Sequence, residues 1–134
     1  MNIYIDTSAL IAILAEDDKY HRLAKEIWIE LLEQKASLVC NNYTLLETFS
    51  LIQNRYGIHI LSKFQNLAVP ALHIRWLTVE EHNIAVENVL HTNRRHLSLV
   101  DCSSFASMRR LGIHKAFTFD KHFAEQGFEC LPDF

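Results

Sequence analysis

Glycine is the first scarcity in this chain. Only Gly57, Gly112 and Gly127 occur in 134 residues, where average usage of about 7% would give roughly nine. No two of them lie close together. A phosphate loop of the Walker or dinucleotide-binding kind needs clustered glycines so that the backbone can approach the phosphates, so the common nucleotide-binding fingerprints are ruled out. The shortage also points to much helix and few tight hairpins. Cysteine is sparse too: Cys40, Cys102 and Cys130 are an odd number without a CxxC pair, which argues against a disulfide framework. No charged, apolar and small-residue leader is visible, so a reducing cytoplasm is the expected setting. The longest apolar run, Ala9 to Ala15, is far short of the roughly 20 residues that cross a bilayer, and no membrane association is expected. A basic excess is missing as well. Thirteen Lys plus Arg against 16 Asp plus Glu leave a formal charge of −3, a sign that at first disfavours a nucleic-acid partner, because phosphate binding draws on Lys and Arg.

What is present is an ordinary globular composition, 49% hydrophobic and 22% charged, and one domain spanning residues 1–134 is expected. Ile3-Tyr4-Ile5 reads as a short strand that stops at Asp6, after which Thr7 or Ser8 can cap a helix to Leu14. Residues 19–34 carry apolar positions at helical spacing. Leu38-Val39-Cys40 reads as a second strand, followed by a helix from Asn42 that ends at Gly57 and a short helix around 59–66. His73-Ile74-Arg75 resembles a third strand. Thr78 with Glu81 gives a capping box for a helix to about His91. Ser98 and Asp101 offer caps for a helix that Gly112 closes. Ala116 to Phe119 reads as a fourth strand and Phe128 to Cys130 as a fifth. Strands alternating with helices predict an α/β sandwich around a mostly parallel sheet.

In open parallel sheets, ligands bind outside the carboxyl ends of the strands. Asp6 and Asp120 both follow predicted strands there, and Asp101 sits at a predicted helix start, where orphan amides favour a carboxylate. Gathered carboxylates raise one another's pKa unless a cation lies between them. Hard divalent ions, Mg²⁺ or Mn²⁺, suit such oxygens, and no Cys or His spacing suits zinc. The residues by themselves also allow a plainer reading, in which Asp101 is a helix cap and Asp6 and Asp120 are turn residues at strand ends. Glu47 is open in the same way. It falls almost opposite the Leu45, Phe49 and Ile52 face of its helix, as a solvated residue would, yet Leu46 and Leu51 make that helix apolar around much of its girth, as a helix beside a cleft would be.

The order of these motifs resembles the PIN-domain ribonucleases, and most closely the VapC-type toxins of bacterial and archaeal toxin–antitoxin pairs. Ile5-Asp6-Thr7-Ser8-Ala9-Leu10 is similar to the family's first motif and Thr44-Leu45-Leu46-Glu47-Thr48-Phe49 to its second. Leu97-Ser98-Leu99-Val100-Asp101-Cys102 with Arg110-Leu111-Gly112-Ile113 resembles the third, and Phe117-Thr118-Phe119-Asp120-Lys121-His122-Phe123 the fourth. The resemblance implies a PIN-like three-layer sandwich and a metal-dependent endoribonuclease whose acidic site is Asp6, Glu47, Asp101 and Asp120. It implies that Asp6, Asp101 and Asp120 bind Mg²⁺ or Mn²⁺, with Glu47 as a ligand or water-orienting base. Ser8 and Thr118 match supporting hydroxyl positions, although helix capping or a strand-end hydrogen bond would equally explain them. An RNA substrate, a small cognate antitoxin and a homodimer follow as implied partners.

Arg94 and Arg95 form the most basic local stretch and are candidates for RNA phosphate contacts, against a solvated helix end as the alternative. Eight histidines form no HxH or HExxH group, so surface or packing roles are expected, with His122 the only one near the acidic site. Trp28, Trp76 and most phenylalanines are expected in the core, and Cys102 is expected to pack inward. Two other functions stay in view: a PIN-like RNA-processing nuclease without an antitoxin, and a catalytically silent RNA- or protein-binding module. The charge of −3 excludes none of these, because bound divalent ions would reverse the sign of the acidic site. RNA binding should then depend on metal.

Overall fold

Ile3, Tyr4 and Ile5 have no solvent exposure, and a strand apolar on both faces belongs in the middle of a sheet covered on both sides. In the computed structural model, which describes residues 1–133, they form β1 (Asn2–Ile5). The other strands are β2 (Ser37–Asn41), β3 (Leu72–Arg75), β4 (Lys115–Phe117) and β5 (Glu129–Leu131). All pair in parallel in the order β3-β2-β1-β4-β5. The register sets Tyr4 beside Val39 on one side and Ala116 on the other.

Parallel neighbours need crossovers, and helices supply them. Between β1 and β2 run α1 (Thr7–Leu14) and α2 (His21–Glu33). Between β2 and β3 runs α3 (Asn42–Lys63), followed by a wider turn at Phe64–Ala68 and a tight one at Val69–Ala71. Next come α4 (Val79–Thr92) and α5 (Leu99–Leu111) before β4, and α6 (His122–Glu125) before β5. The chain steps outward from β1 to β2 and β3, then returns to β4 on the other side of β1. Right-handed crossovers therefore put α1 to α3 on one face and α4 to α6 on the other. Consistent with this, α1 packs on α2 and α3, and α4 on α5. The α/β sandwich with a parallel sheet flanked by helices is the predicted one.

Local chemistry explains most boundaries. Thr78–Glu81 and Ser98–Asp101 both form reciprocal capping boxes. Asn41 caps α3 by accepting from Thr44 N–H at 2.9 Å, while its Nδ2 donates to Ser103 and Ser107 of α5. Gly57 takes φ 84°, ψ −174°, a region essentially reserved for glycine. It breaks the helical path there, and the expected second short helix is a redirected continuation of α3 and not a separate element. Tyr4 reaches across from the central strand, its hydroxyl within 3.0 Å of Thr44 on α3 and donating to Ser104 on α5 at 2.9 Å. Burial raises the Tyr4 pKa, so the phenol stays protonated.

Two expectations are corrected. The N-cap of α1 is Asp6, not Thr7 or Ser8: its carboxylate accepts from Ser8 N–H, so the helix starts directly at the strand end. Trp76 is 67% exposed and not in the core. β3 ends at Arg75, so Trp76 lies beyond the pleat in the loop before α4, whereas Trp28 does pack against the core. Cys102 is buried as expected. Among the described residues no helix is long and apolar enough to cross a membrane.

Candidate active site

The strand order reverses between β1 and β4, and at such a switch point the loops leaving two adjacent strands part to leave a crevice. Asp6 leaves β1 there, and its N–H donates to Phe117 O of β4 at 3.0 Å. Asp120 lies three residues past the end of β4. Asp101 reaches the same crevice from the first turn of α5, and Glu47 from α3. The four acids line one cleft of about 450 Å³. Glu47 is half-buried and faces that cleft, so the helix is packed on more than one side, as its wide apolar girth allows.

Hydrogen bonds hold three of the four carboxylates in place. Asp6 Oδ2 accepts from Ser8 Oγ at 2.8 Å and from Thr118 Oγ1 at 3.0 Å. The Ser8 hydroxyl also accepts from Phe119 N–H, and the Thr118 hydroxyl from Asp120 N–H, both at 2.9 Å. Asp101 Oδ2 accepts from Ser98 N–H at 3.1 Å as the returning half of its capping box, so the cap and the cleft-facing position belong to one residue. Asp120 Oδ1 accepts from His122 N–H at 2.9 Å.

The electrostatics are those of carboxylates crowded in a half-dry crevice. Burial pushes the Asp6 carboxyl up to about 6, and the charges of Asp101 and Asp120 add to the rise while Ser8 and Thr118 oppose it. Glu47 is raised by burial and then by the charges of Asp101 and Asp120. Asp101 is raised by burial and by Asp120, against the Ser98 bonds and the His122 side chain. Among the described residues, Asp101, Asp120 and His122 bring one ligand atom each to within 4.8 Å of one another. His122 Nδ1 lies 2.9 Å from Asp120 Oδ1 and makes no hydrogen bond among the described residues. Oxygen donors with one imidazole, unfavourably close to one another without a counter-charge, fit a divalent ion.

Sequence reasoning placed His122 near the site but gave it no part in it. The available signal was its position two residues after Asp120, behind a strand end. Lys19 and Arg55 were missed altogether: both line the cleft, but neither stands in a basic run. Arg94 and Arg95, the basic candidates, are exposed and do not line it, and Arg94 pairs with Glu125 at 3.3 Å.

A parallel sheet of this order, with acids gathered over its switch point, defines an α/β sandwich with a candidate metal-binding cluster in its crevice and no glycine-rich loop. The chain belongs to the PIN domain family, whose pattern matches residues 3–129. It is 34% identical to the 23S rRNA-specific endonuclease VapC20 in two strains of Mycobacterium tuberculosis, over 98% of this chain and 99% of theirs. It is also similar to the crystal structure of M. tuberculosis VapC20, described as a sarcin-ricin loop cleaving toxin. The TM-score is 0.82 at 29% identity, covering 94% of this chain and 95% of that one.

Proposed function

We propose that this chain is a Mg²⁺- or Mn²⁺-dependent endoribonuclease, acting as one domain and serving as the toxin of a toxin–antitoxin pair. The observation that carries this reading is the meeting of Asp6, Glu47, Asp101 and Asp120 in one cleft, with Asp101 and Asp120 beside the His122 imidazole. Asp6, Asp101 and Asp120 would hold the cation, with His122 beside Asp101 and Asp120 as a further ligand. When bound, a divalent ion supplies charge neutralisation at the phosphodiester and acidifies water. Asp101 and Asp120 are fixed by Ser98 and by the His122 N–H, so they meet the cation without reorganising. Ser8 and Thr118 keep Asp6 ionised against its burial. Glu47, whose raised pKa makes it a stronger base, takes the proton of the attacking water at its carboxylate. The water oxygen bonds to phosphorus as the bond from phosphorus to the ribose oxygen breaks, and that oxygen takes a proton from solvent as it leaves with its RNA strand.

RNA is the substrate class, and the names of the relatives favour large-subunit ribosomal RNA as the first to test. A small antitoxin that covers the cleft, and a homodimer, complete the proposed assembly. The test is to incubate purified protein with ribosomes and with total RNA in Mn²⁺, Mg²⁺ or EDTA, and map the new 5′ ends. Discrete cleavage that needs metal and disappears in a folded Asp101→Asn variant is expected. Equal cleavage by that variant would remove the reading in favour of contamination, and binding without cleavage by wild type would favour a silent module.

A further inference from the structure

The cleft is lined by five acids, Asp6, Asp18, Glu47, Asp101 and Asp120, and only two bases, Lys19 and Arg55. A cation between the acids accounts for one phosphate, the cleaved one. The phosphates on either side of it still approach a negative wall, and a polyanion binds there only if fixed positive charge meets them. None of the other eleven lysines and arginines lines the cleft, and four of them are engaged elsewhere: Arg22 with Glu26, Arg75 with Glu81, Arg94 with Glu125 and Lys115 with Glu129. Among the described residues, Lys19 and Arg55 belong to no ion pair. The neighbouring Asp18 is turned to another partner, accepting from Tyr20 N–H at 2.8 Å.

Both bases are placed by the fold. Glu47, Leu51 and Arg55 recur every four residues and share one face of α3, with Arg55 two turns, about 12 Å, beyond Glu47 along the axis. That offset carries Arg55 past the reacting phosphate to a neighbour. Lys19 is held by stacking: its ammonium lies 4.9 Å over the Tyr20 ring. Tyr20 in turn stacks on Phe119 with centroids 4.4 Å apart and planes 7° from parallel. Phe119 N–H is bound by the same Ser8 hydroxyl that donates to Asp6. A face covered by a parallel ring at that distance has no room for the ammonium, so Lys19 takes the other. With both faces occupied, Tyr20 braces Lys19 and offers no free surface for a nucleobase.

We infer that Lys19 and Arg55 bind the RNA backbone at the phosphates flanking the cleaved one, and that this contact is indifferent to base identity. The inference rests on the ribonuclease reading. The test uses full-length protein carrying Asp101→Asn, so that RNA stays intact, and a fluorescein-labelled single-stranded 20-mer of mixed sequence in Mn²⁺. Lys19→Gln and Arg55→Gln should each weaken binding about 5-fold or more and lower the slope of log affinity against log salt by about 0.7. The loss should be equal for a second 20-mer of different sequence. Lys19→Arg should restore binding, and Arg94→Gln with Arg95→Gln should change it far less. If wild type cleaves RNA but Lys19→Gln and Arg55→Gln leave affinity and salt slope unchanged, this inference fails alone. Should wild type cleave no RNA, the ribonuclease reading falls and takes this inference with it.

Discussion

The Thr118 hydroxyl donates to Asp6 Oδ2 at 3.0 Å across the seam between β1 and β4, tying together acids that are distant in sequence. The same oxygen accepts from Asp120 N–H, so one buried hydroxyl positions the acid after each strand. Thr118→Val keeps the shape and removes both bonds. A loss of about 1–3 kcal/mol is expected, because a buried carboxylate and an amide each lose a partner, together with weaker divalent-ion binding. Thr118→Ser should recover most of both. Denaturant titration in EDTA and calorimetric titration with Mn²⁺ would check the pair, and a Val variant as stable as wild type would contradict it.

Asp6 gives the protein a characteristic response to pH. Its carboxyl is raised from 3.8 to about 6, chiefly by burial, so between those values the folded state holds a proton that the unfolded state has lost. Stability from this group therefore grows as pH falls through 6 towards 4, and is lost as pH rises. Asp6→Asn removes this contribution and leaves those of Glu47 and Asp101, which are raised as well. In EDTA at neutral pH it should stabilise the protein by about 2–3 kcal/mol, about two units at 1.36 kcal/mol each, with the gain gone by pH 4. Adding Mn²⁺ should raise the Tm of wild type and much less that of the variant. Thermal melts from pH 4 to 8 with and without metal would show it.

His122 supplies the one nitrogen among the candidate ligands. Imidazole suits transition ions better than Mg²⁺, which prefers oxygen. His122→Ala should thus cost Mn²⁺ affinity about 10-fold and Mg²⁺ affinity less, narrowing the preference between the two; loss of a ligand or its partner commonly costs at least that much. Competition titrations would read it. An identical drop for both ions would mean that His122 only positions Asp120.

Gly57 tests the backbone apart from the chemistry. Nothing lies within 4 Å of where a Cβ would sit, so Gly57→Ala meets no clash and its cost is conformational. With φ 84° and ψ −174°, that cost should be about 1–3 kcal/mol. Because Arg55 precedes the break by two residues, RNA affinity should fall as well. Unchanged stability would mean that the helix passes this point in another conformation.

The sequence by itself determined the alternation of strands and helices, because parallel strands buried on both faces read as apolar runs and the Thr78 and Ser98 capping boxes are local signals. It also determined which acids stand at strand and helix ends. Whether Asp101 was only a cap, or Glu47 only a solvated helix residue, depended on what packs against them, and a helical wheel has no neighbours. The tertiary structure sets both acids in one cleft by folding α3 and α5 over the same crevice. It alone moved Trp76 to the surface, since the end of β3 is set by pairing with β2 and not by composition. It alone separated Arg94, paired with Glu125, from Arg55 and Lys19, which line the cleft. Charge clustering in sequence is a one-dimensional quantity, and RNA meets the charges that the fold leaves unpaired beside the acids.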